Sequence, residues 1–442
     1  MEKETVLNVG FDDTDSPKGM CTTFLAYKIV DSLQKQNIEF LDFPRLIRFN
    51  PNIPWKTRGN GAVSFKIKTK NPSKIKDQIK KFVSKYSDIK NGANPGLVFF
   101  ESDTIPIQFT KFSKLALWQL INRNNAKTFA KKNNLEIHYQ GNGQGLVGAI
   151  GAIGYDFDDH TLELLSYRKK SQFGKERKIS TESVKNMQEK TSPNTFNSFD
   201  TKKGRVLITP HGPDPVFYGV RGENVDSLVY ATKILKTTEK LDGYMIFKSN
   251  QGTGDHLKNE LNFENMKPFA SGKISGIVSN MPKIVKGGHV FFKIISKNHE
   301  FWCAVYKPTG MTIVASNLLK GDEISVGGGV RKASKNFPRI INLEFIDIIS
   351  LVKNTTLTNP ECTKCHKKMK SKGANQGFQC IRCGKKALKK ISTEISRNIK
   401  KQLYLPIISA HRHLSRPLQR IGTVNKSPKF DKSISWFCVY EK

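Results

Sequence analysis

The chain is poor in acid. Its 442 residues hold 38 Asp+Glu against 73 Lys+Arg, a formal net charge of +35. That imbalance makes a polyanion the default partner. The sequence has no run of about 18 or more apolar residues, so no membrane span is expected. Residues 1–9 lack the long apolar core of a secretion signal and read as a strand. The seven Cys are an odd number, and four of them stand in two CxxC pairs. This excludes a disulfide frame and points to a reducing, cytoplasmic setting with a metal. Gly and Pro, at 33 and 19, are near ordinary usage, which excludes collagen-like and low-complexity chains. With 37% hydrophobic residues, the chain has enough apolar material for folded cores.

Hydrophobic spacing orders the chain into several α+β units. A strand over 6–11 runs into a turn-forming loop, and a helix follows over about 21–36. Strands are expected over 39–50 and 61–69, and helices over 72–87 and 113–134. A second α+β unit covers strands near 135–139, 161–168, 205–209, 216–221 and 244–248, with helices after 145 and over 223–236. Residues 169–204 are polar and weakly patterned. From 269 to 351, short strands alternate with Gly, Asn and Pro turns, the look of a small barrel. The last segment, 354–442, holds 20 Lys+Arg and only 4 Asp+Glu.

Cys362, Cys365, Cys380 and Cys383 form the strongest local motif, two CxxC knuckles separated by 14 residues. Four thiolates fill a tetrahedron, so a closed structural zinc site is expected. His366 reads as a bystander. Asp12, Asp13 and Asp15 follow a strand and precede a helix. Crowded carboxylates suit Mg²⁺ shared with substrate phosphates, and the free N–H groups of the helix beyond suit phosphate. A solvated turn with a capping aspartate would read the same way. Lys56 and Arg58 flank Gly59, Asn60 and Gly61, a flexible cationic loop able to close on phosphate or simply to turn a hairpin. Gly143 to Gly148 spell GxGxxG, but the helix after them is too short for a dinucleotide fold. Close packing through small residues is the better account. Phe291 and its aromatic neighbours among lysines suit base stacking on an OB-fold. Arg412, His413 and Arg416 form a basic patch suited to an RNA backbone.

Together these residues closely resemble a family. The run from Gly10 to Thr23, with Asp12-Asp13-Thr14-Asp15 inside it, resembles the opening of the archaeal tRNA-Ile 2-agmatinylcytidine synthetases. The resemblance continues through Phe43–Arg48, Pro54–Phe65, Thr161–Leu164, Arg221-Gly222-Glu223, Gly287–Phe292, the paired cysteines and Arg412–Ser415. It implies a multidomain α+β chain with four folded parts: a kinase-like α/β ATP-binding domain over 1–138, a ferredoxin-like domain over 139–265, an OB-fold RNA-binding domain over 266–353 and a zinc ribbon over 354–395. A basic tail over 396–442 is expected after them, and the stretch beyond Gly422 lies past the resemblance. The activity implied is ATP-dependent attachment of agmatine to C2 of the wobble cytidine in tRNA-Ile with a CAU anticodon. ATP would end as AMP and two phosphates, and AUA would be read as isoleucine.

By the resemblance, Thr22 aligns with a threonine that the family autophosphorylates, with Thr23 beside it. Asp12, Asp13 and Asp15 align with its acidic loop, for Mg²⁺ and ATP. Gly19, Thr23, Lys56, Arg58, Gly59 and Asn60 are expected to bind ATP phosphates. Agmatine is a dication, so Asp156, Asp158, Asp159 and Glu163 are expected to form its acidic site. Arg221, Phe291, Arg412, His413 and Arg416 are expected on tRNA. The alternative from the residues is a non-catalytic single-stranded nucleic-acid-binding protein built on the OB-fold and zinc ribbon. That alternative leaves the acidic loop unexplained.

Overall fold

The computed structural model describes residues 4–335, 337–426, 430–431 and 433–440. The chain divides into a larger unit of residues 1–273, 327–339 and 406–442, and a smaller one of 274–326 and 340–405. Among the described residues no helix is long and apolar enough to cross a membrane.

The larger unit is organised by one 11-stranded sheet. Strand Thr5–Asp12 lies between Gly61–Thr69 and Gly96–Glu101, antiparallel to both. Its alternation sorts the faces. Leu7, Val9 and Phe11 point into the main core with helices Thr22–Gln34 and Pro72–Tyr86. Asn8, Gly10 and Asp12 fall on the opposite face by the same alternation. There the Gly/Ala-rich helix Leu146–Gly154 crosses so closely that a Cβ on Gly10 would strike the Ala149 carbonyl. Phe11 is fully buried, its ring edge-on to Phe65 at 6.2 Å.

The kinase-like and ferredoxin-like parts expected from the sequence share this sheet. Strand Arg45–Arg48 pairs in parallel with Leu241–Ser249, matching Lys248 to Arg45. Beyond that seam, Thr161–Arg168 and Val216–Gly222 continue the sheet. Every residue of Thr161–Arg168 is buried, as a central strand covered on both sides should be.

Several expectations were drawn too coarsely. The 113–134 helix is two helices, Ile107–Trp118 and Arg123–Lys132, the second capped by the Asn122 side chain. Strand Gly96–Glu101 went unread because its apolar run is short. The weak segment 169–204 contains helix Thr181–Thr191, capped by Ser180. The stretch expected as a basic tail over 396–442 pairs with strands of the fold instead, Leu403–Tyr404 with Ile340–Ser350 among them. Trp436 is 5% exposed in the main core, and Phe437–Val439 pairs with Leu241–Ser249. Apolar residues spaced among the lysines carry that burial. Residues 427–429, 432 and 441–442 of the segment lie outside the described residues.

Strands Ser271–Val278, Glu323–Arg331, Ile340–Ser350, His299–Val305 and His289–Ser296 pair in sequence, and the last returns to the first. This is the closed five-stranded barrel of an OB-fold. Phe292 and Phe301 fill its core, while Phe291 and Trp302 lie on the half-buried outer face. Lys293 sits over the Trp302 ring at 4.8 Å. Next in the chain come short strands around the cysteines.

Candidate active site

Strand Thr5–Asp12 ends at a cleft of about 310 Å³ within the larger unit. Asp12, Asp13, Asp15, Thr22, Thr23, Lys56, Arg58, Gly59 and Asn60 all line it, so most of the expected phosphate site is brought together. Asp13 turns the chain with φ +55, and its N–H donates to Asp12 Oδ1 at 2.7 Å. Asp15 accepts from Thr57 Oγ1 at 2.9 Å and from Arg58 Nη1 at 2.7 Å. The Thr14 hydroxyl donates to Thr22 Oγ1 at 3.1 Å, which fixes Thr22 at the first turn of its helix.

Residues 49–60 form the long loop of a hairpin between Arg45–Arg48 and Gly61–Thr69. The loop therefore turns a hairpin and faces the cleft at the same time. Arg58 and Asn60 take positive φ, and the Asn60 amide donates to the Asn50 carbonyl at 2.8 Å. Gly19 departs from expectation. It closes a tight turn on Ser16 through paired backbone hydrogen bonds and does not line the cleft.

Burial sets the electrostatics. It pushes the Asp12 carboxyl up to about 7, although the Asp13 amide opposes it. It pushes Asp13 up to about 8, helped by the charges of Asp12 and Asp15. Asp15 and the buried Asp214 are also raised by burial, and Arg58 opposes both shifts. The carboxylates do not converge into a cage. Among the described residues only the four cysteines come together as a ligand set. An open site of one or two carboxylates that awaits substrate phosphates is compatible with Mg²⁺.

The GxGxxG run does pack closely. A Cβ on Gly148 would land on the Asp12 carboxylate, and one on Gly145 on the Asp12 carbonyl. Ala for Gly in a helix usually adds up to about 1 kcal/mol of stability. Here Gly148→Ala is expected instead to displace Asp12 and lower turnover by at least ~10²-fold. Steady-state kinetics beside a thermal melt would check this, and wild-type turnover would count against it.

The four acids assigned to agmatine do not form one site. Asp156 and Asp158 are exposed. Asp159 is buried in ion pairs with Arg416 at 2.5 Å and Arg420 at 2.8 Å. Only Glu163 reaches the cleft, where Gln251 donates to it and Arg48 and Arg221 each stand 3.4 Å away. The residues assigned to tRNA also separate. Arg221 and His413 line the cleft. Arg412 donates to Asn52 at 2.9 Å. Arg416 is spent on Asp159 and on the carbonyls of Thr253, Arg420 and Thr423. Phe291 alone lies on the barrel.

The sequence reading missed Arg48 and Asp214, which line the cleft, and Arg177, which supports Asp214 from outside it. Arg177 stands 3.4 Å from Asp214 and donates to four carbonyls of the 210–216 loop. Arg48 lay inside the stretch that carries the resemblance. Nothing local to Asp214 marked it.

The four cysteine sulfurs lie within 4.8 Å of one another, with Cys362 and Cys383 at 3.4 Å. A ZnS₄ tetrahedron with bonds of about 2.3 Å sets its sulfurs about 3.8 Å apart, so the set fits zinc. Backbone N–H groups of Lys364 and Cys365 help to hold the Cys362 thiol down to about 6. His366 and Gly384 occupy matching knuckle positions with positive φ, each donating its N–H to the first cysteine's carbonyl. His366 is thus a backbone element of the knuckle. A chelator or Cys380→Ser is expected to open residues 359–399 to limited proteolysis. Equal resistance with and without metal would contradict a zinc-held ribbon.

An acid-and-cation cleft at the end of a sheet strand, in a chain that also holds an OB barrel and a cysteine knuckle pair, defines a multidomain phosphate-handling enzyme of nucleic acid. Three family descriptions match the chain: the TiaS TCKD domain over 8–142, the TiaS FLD domain over 143–256 and the TiaS C-terminal zinc ribbon domain over 359–399. The isoleucine-tRNA 2-agmatinylcytidine synthetase TiaS of Cenarchaeum symbiosum is 46% identical, covering 99% of this chain and 97% of its own. That of Thermococcus sibiricus is 40% identical over 93% and 95%. A crystal structure of TiaS in complex with its isoleucine tRNA and ATP superposes with a TM-score of 0.85 at 35% identity, covering 96% of this chain and 99% of that one. The complex of TiaS with the same tRNA, AMPCPP and agmatine gives 0.83 at 33%, with the same coverage. The chain belongs to the TiaS family, the isoleucine-tRNA 2-agmatinylcytidine synthetases.

Proposed function

We propose that this chain is an ATP-dependent ligase that attaches agmatine to C2 of the wobble cytidine in tRNA-Ile with a CAU anticodon, in the cytoplasm. ATP ends as AMP and two phosphates. The product pairs with A, so AUA is read as isoleucine. The observation that carries the reading is the meeting of the acidic loop, Thr22 and the cationic hairpin loop in one cleft. Its likeness to a TiaS complex with tRNA, AMPCPP and agmatine supplies the substrates.

The chemistry needs these groups. An amine cannot expel oxide from a pyrimidine. A phosphoryl group bonded to O2 makes that oxygen a leaving group. The amine nitrogen then bonds to C2, the C2–O bond breaks, phosphate departs and the amine proton passes to a base. Asp12 and Asp13 are suited to hold Mg²⁺, which when bound neutralises phosphate charge, and one of the two serves as the base. Thr22 accepts the second phosphoryl group that leaves ATP, its hydroxyl proton passing to the base, and water then cleaves the phosphothreonine to release the second phosphate; Thr23 stands beside it. Lys56 and the Gly59-Asn60 turn face the phosphates, while Arg58 balances Asp15 until substrate arrives. Glu163 and Asp214 each face two arginines, but Glu163 also accepts from Gln251, whereas Asp214 keeps a buried Oδ2 that lacks a hydrogen-bond partner; we assign the cationic amine to Asp214. We assign residues 1–138 to ATP, 139–265 to the ferredoxin-like part, and the barrel over 266–353 and ribbon over 354–395 to RNA.

The test is direct. An unmodified tRNA-Ile transcript is incubated with the protein, Mg²⁺-ATP and agmatine, then digested and weighed as nucleosides. The expected product is cytidine plus one agmatine less water, absent without ATP. Tight tRNA binding with no mass change would leave a binder and end the ligase reading.

A further inference from the structure

The chain after residue 405 returns to the larger unit and enters the cleft. Gly252 and Gly254 donate their N–H groups to the carbonyls of His413 and Leu414 at 2.9 and 2.8 Å. Leu414 is buried beside Ile47, Phe49 and Tyr155. A few residues on, one carboxylate pins the segment. Asp159, buried almost completely, accepts from Arg416, Arg420 and the Asn425 N–H. Arg420 also reaches Glu223 at 2.5 Å.

This anchoring places the His413 ring against the phosphate-facing loop. A Cβ on Gly59 would sit 2.5 Å from His413 Cδ2 and 2.6 Å from Nε2, so that position needs glycine. His413 Nδ1 lies 3.0 Å from Arg221 Nη2 and 2.8 Å from Gln251 Oε1. Among the described residues Nε2 has no hydrogen-bond partner. Burial and the charges of Arg48 and Arg221 keep the ring neutral. In the free cleft the neutral ring carries its hydrogen on Nδ1 and donates to Gln251 Oε1, whose amide is oriented by its own donation to Glu163. A phosphate in the cleft offsets the charges of Arg48 and Arg221, so the ring takes a second hydrogen on Nε2 and donates from there while Nδ1 keeps Gln251.

We infer that His413 is a further binding residue of the cleft, donating from Nε2 to a phosphoryl oxygen of the nucleoside triphosphate, and that Asp159 is its positioning residue, acting through Arg416 and Arg420. The inference rests on the reading that this cleft takes ATP. It moves His413 and Asp159 away from tRNA and agmatine.

The experiment uses the full chain and measures two affinities separately: labelled ATP with Mg²⁺, and unmodified tRNA-Ile transcript without ATP. His413→Ala is expected to weaken ATP binding roughly tenfold to hundredfold, the range for a hydrogen bond to a charged group. Its tRNA affinity should stay within about twofold, because a neutral group adds little to backbone binding. His413→Gln, which can offer an amide N–H in its place, should recover much of the loss. Asp159→Asn should weaken ATP binding in wild type but add little in a His413→Ala background, because it acts through that residue. Unchanged ATP affinity in a folded His413→Ala protein overturns the inference, as does a loss confined to tRNA. If the wild type itself binds no ATP, the nucleotide reading of the cleft falls first and this inference falls with it.

Discussion

Asp13→Asn and Asp12→Asn are each expected to lower turnover by at least ~10³-fold while leaving tRNA affinity nearly unchanged. Both carboxylates sit where metal and phosphate are proposed to meet. The same substitutions should raise thermal stability in chelator at alkaline pH. Burial lifts Asp12 to about 7 and Asp13 to about 8 from an ordinary 3.8, so the folded chain favours their protonated forms. Their contribution to stability is complete below about pH 4 and is lost as pH rises through 7 to 8. A rise from 3.8 to about 7 corresponds to ~4 kcal/mol at most for Asp12. Asparagine carries no charge and escapes that cost. With EDTA at about pH 8.5, above both raised values, the variants should therefore melt above wild type, and at about pH 4 the gap should close. Melting curves at the two pH values would check this. A gap of the same size at both would mean that the carboxylates are not the source.

Asp159→Ala is expected to destabilise the larger unit by ~3–5 kcal/mol, the usual cost of removing one member of a buried ion cluster. Arg420, 1% exposed, would keep Glu223 but lose Asp159, and Arg416 would lose the one carboxylate it meets among the described residues. Asp159→Asn should cost less, since the amide oxygen still accepts from Arg420 and the Asn425 N–H, and only the position facing Arg416 becomes an NH2 group. Denaturant unfolding of the two variants beside wild type measures the difference. Loss of less than about 1 kcal/mol in Asp159→Ala would mean that solvent reaches the cluster. In that case residues 411–425 would not be pinned by it.

These two predictions differ in how they could be found. Asp12 and Asp13 are neighbours in a run of turn-forming acids after an alternating strand. Both the crowding of charge and the end of the strand are local, so the candidate site was legible there. The zinc knuckles were legible for the same reason, because two CxxC turns carry their own geometry. Lys56, Arg58 and Gly59 were legible as a cationic turn, although Arg58 proves to face Asp15. Asp159 was grouped with Asp156 and Asp158 as an acid for agmatine because the three are neighbours in the chain, although only those two are exposed. Its partners stand 257 and 261 positions away along the chain.

Local residue patterns were therefore enough for the elements and the short-range chemistry. These are the period-two strands, the helices of period 3.6, the acidic loop, the small-residue run from Gly143 to Gly148, and the thiolates for zinc. Only the tertiary structure decided what those elements face. It joined two expected domains into one sheet through Arg45–Arg48 and Leu241–Ser249. It built the basic tail into the core through Trp436, and it set His413 against Gly59. The reason is physical. Side-chain periodicity records which face of an element is apolar, but not which distant apolar or charged surface will cover it. That choice depends on burial summed over the whole molecule.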